Sequence, residues 1–194
     1  TPDGGALASV LWDQPGAHHM TISAPEPLRS LTLTPQQVRT TAAEMLPKEW
    51  APPAGAILHE AEDTAEEGAI RGLVVEKIGA SGGVAHTTWD SPGQWATWRI
   101  EVPAEGDYEL LIRAASVYDH IARSLELDGK LLQIASFGPT GGWCRATDDW
   151  RWFRLMREGG QPLTIHLTPG THELRMEMLT GSMNLDLFAL VPAR

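Results

Sequence analysis

Cysteine is almost missing from this chain. Cys144 stands alone, so no disulfide can form within it, and a single thiol says little about redox compartment. Basic residues are also in short supply: 15 Lys and Arg face 25 Asp and Glu, for a net charge of −10. That balance argues against nucleic acid and anionic membrane as partners, because phosphate binding draws on Lys and Arg. No apolar run approaches the length of a membrane span. No P-loop, dinucleotide fingerprint, nucleophile elbow or Ser-His-Asp motif occurs. His59-Glu60 has no second His at helical spacing, so it is not a zinc-protease signature. No repeat of 20–50 residues is visible. No signal-peptide pattern leads the chain and it opens on Thr, which suggests a mature form or a segment of a longer protein.

What is present is a globular composition, 42% hydrophobic, over 194 residues. That is enough for one domain of ordinary size and an appendage. Eight Trp stand against three Phe and two Tyr. Trp offers a broad flat face for stacking and also fills sandwich cores, and the core use suits most of them.

Residues 1–55 read as an N-terminal extension ending in a Pro-rich linker. Ala6 to Trp12 and His18 to Ser23 have strand character around the Gln14-Pro15-Gly16 turn. Thr34-Pro35-Gln36-Gln37 predicts a helix start, with Val38, Ala42, Met45 and Leu46 as its apolar stripe. Pro47 to Gly55 reads as a stiff linker. His18-His19 suits a surface better than a ligand.

From Ile57 the pattern is all-β. Trp98, Ile100 and Val102 share one face of a strand; Tyr108, Leu110, Ile112 and Ala114 share one face of the next. Asp128-Gly129 signals a hairpin. His172, Leu174, Met176 and Met178 alternate against Glu173, Arg175 and Glu177. Many short strands broken by Gly and Pro turns predict a sandwich or jelly roll.

Ile57 to Asp63 is the first strand of that series. Alternation places Glu60 and Glu62 on one face. Paired carboxylates repel, and call for a cation or for an Arg or Lys between them. Asp186 on the last strand adds a third carboxylate if first and last strands pair. Hard oxygen donors of this kind suit Ca²⁺ better than zinc. Solvation on the outer face of an edge strand accommodates the Glu pair equally well.

A run of motifs then points further. In order they are Glu60-Ala61-Glu62-Asp63; Trp95 to Tyr108; Arg113-Ala114-Ala115-Ser116; Leu125 to Gly129; Thr140-Gly141-Gly142-Trp143; Trp150-Arg151-Trp152; Leu167 to His172; and Asn184-Leu185-Asp186. Over residues 57–192 the chain resembles the carbohydrate-binding modules of families 6 and 35. The resemblance implies an all-β, galactose-binding-like jelly-roll β-sandwich of two antiparallel sheets over residues 56–194, with a short strand/helix extension before it. It implies a structural Ca²⁺ on Glu60, Glu62 and Asp186. It implies a sugar site in the loops at one end of the sandwich, where Trp143 stacks on a pyranose ring and Asn184 bonds its hydroxyls. A pyranose has an apolar C–H face for the first contact and directional hydroxyls for the second.

The chain departs from the family pattern in places. The extra piece Cys144 to Asp149 leaves either Trp143 or Trp150 as the platform, with Trp143 favoured for the site and Trp152 for the core. The family's opposing aromatic falls near Val84-Ala85-His86, where His86 stacks poorly and Trp89 is a substitute. Tyr118-Asp119-His120 reads as a loop tip, either assisting with sugar hydroxyls or ordinary. Asp148-Asp149 reads as a solvated turn.

The expected function is non-catalytic binding of a poly- or oligosaccharide, in an extracellular or periplasmic setting, tethered to a glycan-degrading catalytic domain. The alternative is a spacer sandwich that packs on a neighbouring domain and has no sugar site. Catalysis by the carboxylates is disfavoured, because they lie on strands rather than in an open cleft.

Overall fold

The computed structural model describes residues 40–68 and 70–193. The strands expected at 6–12 and 18–23, the His18-His19 pair and the helix start at Thr34 lie outside the described residues. The described strands are β1 (Thr40–Ala42), β2 (Glu44–Met45), β3 (Ile57–Glu60), β4 (Glu66–Glu67), β5 (Leu73–Glu76), β6 (Val84–Thr87) and β7 (Trp95–Val102). They continue with β8 (Gly106–Ala115), β9 (Ile121–Leu127), β10 (Lys130–Phe137), β11 (Arg151–Arg154), β12 (Thr164–Leu167), β13 (Gly170–Thr180) and β14 (Asn184–Pro192).

Two sheets result. One runs β1-β10-β9-β13-β7-β4; the other runs β2-β11-β8-β14-β6-β5, with β12 also pairing β8 and β3 also pairing β14. Every pairing is antiparallel except β1 with β10. The core lies between the sheets, where the expected alternation holds. Trp98, Ile100 and Val102 of β7 meet Leu110 and Ile112 of β8 and Leu174 and Met176 of β13 in one buried cluster. Side chains two apart on a strand share a face, so each strand contributes every second residue to this layer.

The second half of the expected helix is extended. Thr40–Ala42 pairs in parallel with Ile134–Ser136, and Met45 and Glu44 pair with Phe153 and Arg154. Consecutive Thr residues favour strand, and an open sheet edge offers unpaired backbone groups that a short segment can satisfy. Residues 40–46, read from the sequence as part of an extension, therefore contribute a strand to each sheet. Leu46 is buried with Leu111, Trp152, Leu187 and Ala189, and Trp50 packs against that cluster. The Trp50 and Trp152 rings meet edge-on with centroids 5.4 Å apart. The compact unit that carries the sandwich spans Val38–Arg194.

β14 organises the second sheet. One edge pairs with β8 along its length; the other pairs with β6 at Leu185 and with β3 from Leu187 to Leu190. Its register against β8 shifts between Leu185 and Leu187. Bulges of this kind re-aim a side chain, and the residue at the shift is Asp186.

Candidate functional site

First and last strands pair as expected, with Leu187 opposite Glu60 and the Ala61 amide donating to the Asp186 carbonyl over 2.9 Å. β3 ends at Glu60, and Glu62 sits in the turn just beyond it. The bulge turns the Asp186 carboxylate inward, where it is fully buried. Arg113 on β8 makes an ion pair with it, and the Ser81 amide donates to its Oδ1 over 2.8 Å. Arg113 also donates to the Gly79 carbonyl at 3.1 Å and lies over the Trp150 ring, 5.7 Å from its centroid. The Arg113 guanidinium is thus the cation that meets Asp186. Burial nevertheless raises the Asp186 pKa, and Arg113 and the Ser81 amide only partly oppose it.

Glu60 and Glu62 are less well served. The Ser81 hydroxyl donates to Glu60 Oε1 over 2.6 Å, while Glu60 Oε2 and Glu62 Oε2 are buried and have no hydrogen-bond partner. Burial raises the Glu62 pKa, with added repulsion from Glu60, Asp186 and Asp63 and partial relief from its own backbone amide. Buried carboxylate oxygens without donors are an energetic debt that a hard cation removes. Among the described residues no three Asp, Glu, His or Cys side chains converge as a ready metal centre. The donor set fits an oxygen-liganded cation on Glu60 and Glu62, and Asp186 can join only by exchanging Arg113.

The second cluster is at the loop end of the sandwich. Trp143 is partly buried and Tyr118 is 50% exposed; their rings meet at 72° with centroids 5.8 Å apart. The two aromatics form an open corner on loops that are tied to one another. Ser116 and Thr140 exchange bonds: Thr140 N donates to Ser116 O at 2.8 Å and Ser116 N to Thr140 Oγ1 at 3.0 Å. The Ser116 hydroxyl accepts from Tyr118 N at 3.0 Å and donates to Ser182 O at 2.7 Å. Asn184 is buried, and its Nδ2 donates to the Trp143 carbonyl at 3.1 Å. That bond holds the Trp143 loop in place.

The remaining expected site residues lie inside. Trp150 is 3% exposed, and its Nε1 donates to Ile78 O at 3.0 Å. It is a core residue, so of the two candidates only Trp143 is open to a ligand. His86 and Trp89 are 1% and 2% exposed. Trp89 Nε1 donates to His86 Nδ1, which leaves the proton on Nε2 to bond Glu67 Oε1 at 3.0 Å. This neutral tautomer agrees with a His86 pKa lowered by burial and only partly restored by Glu67. Trp89 stacks parallel to Trp98 at 6.3 Å. The pair is a buried wall of the core, closed to a sugar.

Two supports escaped the sequence reading. Asp149, in a turn whose sequence reads as solvated, braces the Trp143 loop: its Oδ2 accepts from Cys144 N at 3.0 Å and its Oδ1 from Thr147 Oγ1 at 2.7 Å. A Cβ on Gly142 would come within 2.0 Å of Asp149 Oδ2, so this approach requires glycine. Arg123 is fully buried and donates to Thr180 O and Gly181 O, each at 2.8 Å, fixing the chain just ahead of Asn184. Burial pushes its pKa down to about 9. A signal for it existed: alternation puts Arg123 on the inward side between Ile121 and Leu125.

Comparisons with known proteins agree with this architecture. Residues 60–192 match the model of carbohydrate-binding module family 6. The C-terminal family 6 module of LamC, a marine laminarinase from Zobellia galactanivorans, is similar in structure. It is 21% identical with a TM-score of 0.55, over 71% of this chain and 99% of that one. A family 35 carbohydrate-binding module from Clostridium thermocellum is 18% identical with a TM-score of 0.58, over 72% of this chain and all of that one (100%). The Podospora anserina GH26-CBM35 β-(1,4)-mannanase is 19% identical with a TM-score of 0.56, over 73% of this chain and 28% of that one. No curated protein matches the sequence.

Proposed function

The chain belongs to family 6 of the carbohydrate-binding modules, which are non-catalytic, and we propose that it holds a glycan on the Trp143–Tyr118 corner. The observation that carries this is the pairing of two accessible aromatic rings at a steep angle. The apolar C–H face of a pyranose lies on the Trp143 plane and the Tyr118 edge borders it. Asn184, Ser116, Thr140 and Asp149 hold the two loops in register, so little ordering is left to be lost on binding.

We further propose that Glu60 and Glu62 hold a structural Ca²⁺ behind these loops, on the support of their unpartnered buried oxygens. The cation would supply charge neutralisation and fix the turn after β3 against Ser81. A polysaccharide ligand implies an extracellular or periplasmic setting. Attachment to a glycan-degrading catalytic domain, as in the mannanase above, would raise the local concentration of that enzyme on its polymer.

The spacer reading draws on one observation: His86 and Trp89 are buried and add no second wall to the site. Affinity electrophoresis against soluble plant and bacterial polysaccharides separates the two. Retardation by one glycan, abolished in Trp143→Ala, is the expected result. No retardation by any of them would leave the spacer.

A further inference from the structure

An open cavity of about 510 Å³ lies beside the Trp143–Tyr118 corner, on the other side of the β8–β9 loop. Its size falls in the range of small-molecule sites, roughly 300–1,000 Å³. Tyr118 turns to Trp143, while its neighbours Asp119 and His120 line the cavity. Ala43 and Met45 form another wall, with Phe137 behind. This wall exists because the chain passes from β1 at the edge of one sheet to β2 at the edge of the other, and Ala43 N bonds Ser136 O at 2.8 Å on the way. Those residues precede the stretch that matches the family, 60–192, so this one wall of the cavity comes from outside the matched stretch, while Asp119 to Ala122, Ser136 to Gly138 and Thr180 line it from within.

We propose that this cavity is an additional glycan subsite, taking a neighbouring unit of the same chain that lies on Trp143. The inference rests on the function proposed above. Apolar groups of Ala43, Met45 and Phe137 suit a pyranose C–H face. The exposed Asp119 carboxylate and His120 imidazole stand at the rim, where sugar hydroxyls can donate and accept. A net charge of −10 and a carboxylate in the wall favour a neutral polysaccharide over an acidic one. The ligand is therefore a neutral oligosaccharide chain that spans the Tyr118-Asp119-His120 tip, and not a single terminal sugar.

Calorimetric titration with neutral β-linked gluco-, manno- and galacto-oligosaccharides of two to six units tests this. Ala122→Trp fills the cavity from β9, and Asp119→Ala strips its rim. Wild-type affinity should rise with length, and both variants should lose that rise, roughly tenfold, while binding the shortest ligand as before. If Ala122→Trp fails to fold, the exposed Asp119→Ala decides. An undiminished rise in the folded variants would overturn the subsite and leave the Trp143 corner standing. Binding that survives Trp143→Ala would overturn the corner and the shared chain with it, as would wild-type protein that binds none of the oligosaccharides.

Discussion

Replacing Glu62 by Gln separates the two ways this protein can satisfy its acidic cluster. Glu62 Oε2 is buried without a partner. Burial, then repulsion from Glu60, Asp186 and Asp63, raises its pKa above the ordinary 4.5. A carboxyl whose folded pKa exceeds its unfolded one destabilises the fold once pH has risen through that window, so at neutral pH its ionised form is a burden. In chelator, Glu62→Gln should therefore melt at or above the wild-type temperature. Added Ca²⁺ reverses the order. A site filled at a hundred times its Kd adds about 2.7 kcal/mol, and for a domain of this size each kcal/mol moves Tm by roughly 2–4 °C. Wild type should gain about 5–10 °C on replacing EGTA with Ca²⁺, and Glu62→Gln should gain little. Differential scanning calorimetry reads both. A wild-type Tm indifferent to Ca²⁺ would refute the metal and leave Arg113, on Asp186, as the counter-ion seen among the described residues. A full Ca²⁺ shift retained in Glu62→Gln would refute the ligand assignment.

Other perturbations bear on the loops, the boundary and the core. Gly142→Ala drives a methyl to within 2.0 Å of Asp149 Oδ2, so it should dislodge the Trp143 loop; glycan retardation should be lost with only a small fall in Tm. Leu46→Ala empties a buried site under Trp152 and should cost about 2–5 kcal/mol, seen as a lower urea midpoint. No change would mean that residues 40–46 are dispensable to the sandwich. His86 is held neutral, with its pKa lowered from 6.5 by burial. As pH falls from 6.5 towards the folded pKa the unfolded chain takes up the proton more readily, so stability must decline over that interval. Urea unfolding at pH 7 and pH 5.5 should show the decline, and His86→Gln should flatten it.

The fold was legible because β periodicity survives in single strands. Trp98-Ile100-Val102 and Leu174-Met176-Met178 state their inward faces without help from the rest of the chain, and both sets are buried. Residues 40–45 misled because helix signals are local whereas a sheet edge is not. The stripe Val38, Ala42, Met45, Leu46 fits a helix, yet the open rows of β10 and β11 offer backbone partners that no local pattern reveals. Aromatic choice had the same limit. Trp143, Trp150 and Trp89 are equivalent as letters; Trp150 and Trp89 pack into buried clusters, where Ile78 O and His86 Nδ1 accept from their Nε1 groups.

The acidic cluster shows how far a charge pattern can carry. Side-by-side carboxylates demand a positive charge, and the sequence alone permits a metal or a basic side chain. The structure divides the demand. Arg113 reaches Asp186 because the bulge in β14 turns that carboxylate toward β8. Glu60 and Glu62 lie past the end of that reach, at the close of β3 and in the turn after it. The same Arg113 guanidinium covers Trp150 and bonds Gly79, so it braces the residue that begins just after the Asp149 clamp. Charge compensation and the posture of the Trp143 loop are thereby linked through one side chain. Loss of the cluster should consequently be felt at the Trp143–Tyr118 corner as well as in the melting temperature.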